Sequence, residues 1–125
     1  MAFSDFYPSY ITVVAEGEIA LITFRLSLIT EEENVELLGQ ELYALFEKYD
    51  YQKLAVNLEG VRYVTSAAVG KLISLHRKLH RLGGTLVICN IGESVAEVLR
   101  TSRLIDYFHV ANDVDDAIAM LRSER

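Results

Sequence analysis

The order of structural elements is set by residues 57–84, NLEGVRYVTSAAVGKLISLHRKLHRLGG, and by the segment that follows, TLVICNIGESVAEVLRTSRLIDYF. Residues 53–58 form a short, almost continuously apolar run, which predicts a strand covered on both faces and central in a sheet. Apolar residues recur at helical spacing over residues 67–82, and Gly83-Gly84 ends that helix. Residues 85–89 predict a second buried strand. A strand, a helix and a strand in this order indicate an α/β fold.

The residues before this segment predict a hairpin and a helix. Residues 10–15 and 19–26 are rich in β-branched and aromatic side chains, and Glu16-Gly17-Glu18 between them supplies a turn glycine. A first helix is expected over residues 31–49, where apolar side chains recur at helical spacing. Thr30 and Glu33 have the spacing of a capping box at its start.

The residues after the segment predict a third helix, a last strand and a terminal helix. The third helix is expected to begin at a capping box formed by Ser94 and Glu97. Residues 107–110 predict the last strand, and Asn112 or Asp113 is expected to cap the terminal helix. The whole pattern predicts an α/β domain with a mixed sheet of about five strands, opening with a hairpin, and about four helices packed against it.

Length and composition indicate one globular domain. Of the 125 residues, 51% are hydrophobic and 24% are charged, so neither disorder nor a fibrous repeat is indicated. We expect a single domain over residues 1–125, with its core at about 10–121 and an N-terminal extension at 1–9.

Charge, hydropathy and cysteine usage exclude several classes of protein. The net charge of −6 disfavours nucleic acid, whose binding depends on neutralising phosphates. No apolar run approaches the length of about 20 residues that a membrane-spanning helix requires. The start, MAFSDFYPSY, lacks the features of a secretory signal, and the single cysteine, Cys89, excludes an intrachain disulfide and fits a reducing cytosol. We therefore expect a cytoplasmic protein that binds neither nucleic acid nor a membrane.

Few residues have the patterns that catalysis or metal binding requires. His76 and His80 are four residues apart on a predicted helix, which suits one metal ion, but no third ligand, His109 included, has a recognisable spacing. Cys89 lies in an apolar strand without a basic neighbour, so a packed core cysteine is expected. No GxxxxGK[ST], GxGxxG, GxSxG or HExxH motif occurs. We expect no catalytic residue, no metal and no cofactor, and hence no enzyme.

The predicted second helix carries a basic stripe on the face opposite its leucines, formed by Lys71, Ser74, Arg77, Lys78 and Arg81. Two interpretations remain open, a solvated face and a docking surface for an acidic partner.

The segment from residue 57 onward resembles the core of a STAS domain, the module of bacterial anti-sigma factor antagonists. That family typically has an apolar strand, a turn of the Asp-Ser-Ser-Gly-Leu-Gly type that opens a helix, then Gly-Gly and a second apolar strand. Here the turn is Thr65-Ser66-Ala67-Ala68-Val69-Gly70. Thr65 stands where an acid is usual, and Ala67-Ala68 stands where Ser-Gly is common. The likeness extends over residues 11–119, although the hairpin and the first helix match only by pattern.

The resemblance implies an anti-sigma factor antagonist that is switched by phosphorylation and regulates sigma-factor-dependent transcription. In such proteins the partner is a serine kinase, an ATPase of the GHKL type, which is itself the anti-sigma factor. It phosphorylates the first serine of the turn, a role that falls on Ser66, with Thr65 as the alternative acceptor. Helix capping is the purely structural role for either hydroxyl. The expected partner-binding residues come from the turn and the basic stripe: Thr65, Ser66, Ala67, Ala68, Lys71, Lys78 and Arg81.

Two other interpretations stay open. The turn could have lost its switch and kept only binding. Alternatively, the chain is a scaffold or sensory STAS component of a larger signalling assembly, self-associating through its sheet or through the aromatic residues near its start, Phe3, Phe6, Tyr7 and Tyr10.

Overall fold

The computed structural model describes residues 10–25, 28–29 and 32–123. The strands are β1 (Ile11–Glu16), β2 (Ile19–Phe24), β3 (Leu28–Ile29), β4 (Lys53–Asn57), β5 (Tyr63–Val64), β6 (Thr85–Cys89) and β7 (His109–Ala111). The helices are α1 (Glu32–Glu47), α2 (Ser66–Arg81), α3 (Glu93–Thr101) and α4 (Val114–Ser123), with a short 3-10 helix, Ile105–Tyr107, before β7. The predicted cap at Thr30 and the aromatic residues Phe3, Phe6 and Tyr7 lie outside the described residues.

Five strands form the main sheet, in the order β1, β2, β4, β6, β7. β1 and β2 pair antiparallel, and every other pair of neighbours is parallel. The α/β prediction of a mixed sheet that opens with a hairpin is therefore confirmed. β4 is the central strand, as its apolar run predicted, and its Leu54, Ala55 and Val56 side chains are fully buried.

Different helices pack against the two faces of the main sheet. Leu54 and Val56 of β4 share the larger core with apolar residues of α1, α2 and α3, such as Leu42 and Leu79. Ala55 points to the opposite face, because successive residues of a strand alternate. There it packs in a smaller core with Ala117 and Leu121 of α4 and with Val87 and Cys89. The four predicted helices are thus divided between the two faces.

A second, two-stranded sheet was not predicted. β3 and β5 pair in parallel, with Leu28 opposite Tyr63 and Ile29 opposite Val64. Strands of two residues are too short to show the alternation by which a strand is recognised in sequence. The pairing holds the chain immediately before α2, and it therefore fixes the turn at which α2 begins.

The Gly83-Gly84 pair ends α2 for two separate reasons. Gly83 has φ +83°, in the left-handed region that glycine adopts without steric cost. Gly84 is buried, and a Cβ atom there would lie 2.5 Å from the Gln52 carbonyl oxygen and 3.1 Å from Leu79 Cδ2. The first glycine turns the chain and the second lets β6 start close to β4.

One predicted cap is wrong and another is confirmed. α3 begins after Gly92, which has the extended backbone of an N-cap (φ −79°, ψ 174°), and no side chain among the described residues caps this helix. Ser94 therefore lies inside the first turn, where it does not form the predicted capping box with Glu97. Asp113 caps α4, since its Oδ1 accepts a hydrogen bond from the Asp116 amide at 2.9 Å. The last strand is β7 rather than residues 107–110, because Tyr107 belongs to the 3-10 helix.

Candidate functional site

The candidate site is the turn between β5 and α2, where Thr65 and Ser66 have different roles. Thr65 has an extended backbone (φ −89°, ψ 164°) and is the N-cap of α2. Its Oγ1 accepts a hydrogen bond from the Ala68 amide at 3.3 Å, and it is only partly exposed. Ser66 is the first residue of the helix and is exposed. Capping, the structural role open to both hydroxyls, is therefore filled by Thr65.

Apolar side chains before and after Ser66 anchor the turn in the larger core. Val64, Ala68 and Val69 are at most 2% exposed and belong to the larger core. Ala67 and Gly70, in contrast, are exposed. Helical spacing therefore places Ser66, Ala67 and Gly70 outward, while the residues that hold the turn point into the core. Ser66 and Ala67 of the predicted partner surface are therefore exposed, and buried apolar neighbours hold them in place.

The N-terminal end of α2 suits an anion. The first amides of a helix lack intrahelical acceptors, and the helix dipole places partial positive charge there. The first turn of α2 contains no acidic residue. A phosphate on the Ser66 hydroxyl would meet unpaired amides and no carboxylate from its own helical turn.

A buried polar contact between the carboxyl ends of β4 and β6 was not predicted from the sequence. Asn57 ends β4 and is 8% exposed. Its Oδ1 accepts hydrogen bonds from the Glu59 amide at 3.0 Å and from Asn90 Nδ2 at 2.9 Å. Asn90, which follows β6, has φ +56°. An asparagine directly after a buried strand is the signal that could have drawn attention to it, since asparagine tolerates left-handed backbone.

An open cavity of about 520 Å³ lies beside this contact, between the loops that follow β4 and β6. Arg62 lines it from the first loop, and Asn90 and Gly92 line it from the second. The cavity occupies the carboxyl-terminal edge of parallel strands, which is also the edge at which α2 begins.

The predicted basic stripe is divided by contacts with α1. Lys71 Nζ forms an ion pair with Glu36 Oε2 at 3.0 Å, and Lys78 Nζ lies 4.1 Å from the ring centroid of Tyr43. Arg77 lies on the other side of the helix, 5.9 Å from the ring centroid of Tyr107, and Arg81 is exposed. The partner-binding role of Lys71, Lys78 and Arg81 stays a prediction, and the first two would engage a partner from within an α1–α2 groove.

The three histidines, in contrast, are brought together. The His76 ring centroid lies 5.8 Å from that of His109 and 6.5 Å from that of His80. Spacing alone did not connect His109 with α2, because the contact depends on the parallel pairing of β6 and β7. Across the described ranges, no group of three or more histidine, cysteine, aspartate or glutamate residues could hold a metal ion.

Cys89 is a packed core residue, as predicted. It is fully buried, and its Sγ donates a weak hydrogen bond to the Val56 carbonyl at 3.7 Å. Burial, together with the carboxylates of Asp113 and Glu59, raises the pKa of the thiol to about 11. A thiol that stays protonated in the core is a poor nucleophile.

The amino-acid sequence matches a known protein family. Residues 10–117 match the STAS domain, so the chain belongs to the STAS domain family. It is similar to BtrV of Bordetella bronchiseptica, which is named as a candidate anti-sigma factor antagonist. The two are 27% identical over 95 residues, which cover 76% of this chain and 81% of BtrV.

Solved structures show the same fold. A STAS domain protein from Planctomyces limnophilus, named as an anti-sigma-factor antagonist, superposes with a TM-score of 0.81 at 20% identity, covering 90% of this chain and 98% of that one. The phosphorylated form of SpoIIAA, a cell fate determinant of Bacillus, gives a TM-score of 0.68 at 18% identity, covering 90% and 99%.

The predicted resemblance to anti-sigma factor antagonists is confirmed by these matches. Such antagonists are non-enzymatic regulators, which agrees with the expectation that this chain is not an enzyme. Within the described ranges, no helix has the length and apolarity needed to cross a bilayer.

Proposed function

We propose that this chain is a cytoplasmic anti-sigma factor antagonist whose binding to a serine kinase of the GHKL ATPase type is switched by phosphorylation of Ser66. Family membership and the similarity to BtrV support the class of function. One observation supports the switch most directly. Ser66 is exposed at the first position of α2, while Thr65 alone caps that helix.

The division of roles favours Ser66 over Thr65 as the phosphate acceptor. Phosphorylation of Thr65 would disturb a hydroxyl that already accepts a bond from the Ala68 amide. Phosphorylation of Ser66 leaves that bond in place and adds a charge of about −1.5 to −2 at a helix end that stabilises anions. The fold therefore tolerates the modified serine, and the main effect falls on whatever packs against the turn.

The effect on binding follows from desolvation. A partner that covers Ser66, Ala67 and Gly70 must remove water from any charge placed there, at a cost of several kcal/mol unless it supplies a matching cation. The unphosphorylated chain binds the kinase and so frees the sigma factor, and the phosphorylated chain dissociates. This mechanism requires no catalysis by the STAS domain itself.

The test compares wild type with Ser66→Ala, Ser66→Asp and Thr65→Ser. The kinase is recovered by co-purification with the unphosphorylated chain. Intact mass after incubation with kinase and ATP should show one phosphate on wild type and Thr65→Ser, and none on Ser66→Ala. Ser66→Asp should lose most of its affinity, whereas Ser66→Ala should bind and resist release by ATP.

Two results would contradict parts of the proposal. A phosphate on Ser66→Ala would make Thr65 the acceptor. An unmodified wild type together with normal binding by Ser66→Asp would remove the switch altogether and leave a turn that only binds.

The second candidate function is a scaffold or sensory component that self-associates. The exposed apolar side chains on the two edge strands favour it: Val14 on β1 is 53% exposed and Val110 on β7 is 38% exposed. Unpaired edges of this kind can pair with another chain. Light scattering separates the two functions, because a switched antagonist stays monomeric without its kinase whereas a scaffold assembles by itself.

A further inference from the structure

A basic pocket lies at the other end of α2 from Ser66. It is an open cavity of about 380 Å³, lined on one side by His76, Arg77, His80 and Arg81 of α2 and on the other by residues 106–109. His76 is ten residues after Ser66, so the pocket begins about 15 Å further along the helix axis, at 1.5 Å per residue. It is a separate surface from the turn.

The charge of the basic pocket is opposite to that of the chain. Two arginines and three histidines line it, and Asp106 is the only carboxylate among the lining residues. The chain as a whole has a net charge of −6. Cations gathered in a concave surface raise the local potential and attract anions. The basic pocket therefore favours acidic groups that the rest of the surface repels.

The charge of the basic pocket depends on pH because His76 can gain or lose a proton. Its Nδ1 is buried and has no hydrogen-bond partner among the described residues, and its ring lies 5.8 Å from that of Phe108. Burial lowers the pKa of His76, and His109 and His80 lower it further by repulsion between the imidazolium charges. Arg77, Arg81 and Asp106 are the other charged groups that line the pocket. An anion bound among the histidines offsets their mutual repulsion, so binding is coupled to proton uptake.

The pocket also has apolar surface for a peptide to cover. Tyr107 is 51% exposed, with Arg77 above its ring, and Val110 on the adjoining edge strand is 38% exposed. Aromatic and arginine side chains in this arrangement are typical of protein interfaces. A polypeptide segment fits this combination of cations and apolar surface better than an isolated small anion does.

We propose that the basic pocket is a docking site for an acidic segment of a partner protein, whose carboxylates contact Arg81, His80 and His109 and which binds more tightly as the pH falls. The inference does not depend on phosphorylation of Ser66, because none of the groups involved belongs to the turn.

The probe is a fluorescein-labelled peptide rich in Glu and Asp, compared with a matched peptide that carries the corresponding amides. Fluorescence anisotropy with the full chain should show that only the acidic peptide binds, roughly fivefold tighter at pH 6 than at pH 8. His80→Gln/His109→Gln should reduce the pH dependence, and the further change His76→Gln should remove it. Backbone amide chemical shifts in the complex should change mainly at residues 76–81 and 106–110.

The charge control uses two variants of equal net charge. Arg77→Gln/Arg81→Gln should weaken peptide binding about tenfold or more. Lys48→Gln/Arg122→Gln removes two cations that do not line the pocket, and it should change affinity by less than about twofold. The melting temperature of each variant is measured first, so that a binding defect is read only from a folded protein.

Three outcomes would overturn the inference. Equal binding of the amide peptide would exclude recognition of carboxylates. Equal losses in the two charge variants would reduce the effect to the overall field of the protein. Sedimentation that shows a wild-type dimer lost in Arg77→Gln/Arg81→Gln would make a second copy of this chain, rather than an acidic partner, the occupant.

Discussion

Asn57 and Asn90 join the carboxyl ends of β4 and β6 through a hydrogen bond of 2.9 Å from Nδ2 to Oδ1. The same Oδ1 atom also accepts a hydrogen bond from the Glu59 amide, so one oxygen links the loops that follow β4 and β6. A buried polar group that loses its partner costs about 1–3 kcal/mol. This contact is therefore important for the geometry of the loops around the candidate site.

Asn57→Ala should lower the free energy of unfolding by about 1–3 kcal/mol, because the Glu59 amide and Asn90 Nδ2 both lose their acceptor. Urea denaturation measures the change. Asn112→Ala, at an exposed position lining the same cavity, is the control and should stay within about 0.5 kcal/mol of wild type. Equal stability of both variants would show that water replaces the Asn57 contact without cost.

Thr65→Ala should lower the free energy of unfolding by about 1 kcal/mol through loss of the α2 cap. Thr65→Ser should retain most of the stability that the cap contributes, because serine also caps helices. Ser66→Ala should stay within about 0.5 kcal/mol of wild type, because Ser66 is exposed and does not cap the helix. Thermal and urea denaturation of the three variants test this division. A loss at Ser66→Ala as large as that at Thr65→Ala would contradict it.

Gly84→Ala and Gly70→Ala should change stability in opposite directions. A methyl group at Gly84 would be forced against the Gln52 carbonyl, so a loss of about 1–3 kcal/mol is expected. A methyl group at Gly70, an exposed helical position, would meet no atom of the described residues within 4 Å, so a gain of about 0.5–1 kcal/mol is expected. The midpoint of urea denaturation should be lower than that of wild type for Gly84→Ala and higher for Gly70→Ala.

The stability of the protein should fall at mildly acidic pH in part because of His76. Its pKa in the folded chain is below the ordinary value of 6.5, so between the folded and unfolded pKa values the unfolded chain binds more protons. Above the unfolded pKa, His76 does not reduce the free energy of unfolding. As the pH falls from the unfolded to the folded pKa, the free energy of unfolding decreases. The melting temperature should therefore drop more steeply below about pH 7 in wild type than in His76→Gln. Parallel curves would exclude His76 as a cause.

Cys89 should resist thiol reagents in the native protein. Its pKa of about 11 and its complete burial leave almost no accessible thiolate at neutral pH. Ellman's reagent should react only after denaturation, whereas Ser102→Cys, at an exposed position, should provide one rapidly reacting thiol in the folded chain. Fast labelling of native wild type would show that the β6 region opens frequently.

Local sequence patterns predicted those features that depend on residues close together in the chain. The apolar run of β4 identified a central strand, and Asp113 was one of two expected caps for α4. The helical spacing of α2 placed its start within one residue. Such features are decided by neighbours three or four positions away, which a single sequence displays.

Three features that depend on pairing between distant residues were not predicted. The β3–β5 sheet joins strands more than thirty residues apart, the Asn57–Asn90 bond spans 33 positions, and His109 meets His76 only because β7 pairs with β6. The failed cap at Ser94 has a different cause, since Gly92 supplied the extended backbone two residues earlier. Ser66 as a phosphate acceptor stays a prediction that rests on the family resemblance and on its exposure.

The separation of capping from the proposed modification at the start of α2 bears on how this protein can evolve. Because Thr65 carries the hydrogen bond that starts the helix, codon 66 is released from selection on folding. Under the proposed switch, a mutation that exchanges Ser66 for alanine, or restores it, alters regulation while leaving the population of folded protein almost unchanged. A lineage can therefore silence or regain a response in a single mutational step, without passing through an unstable ancestor.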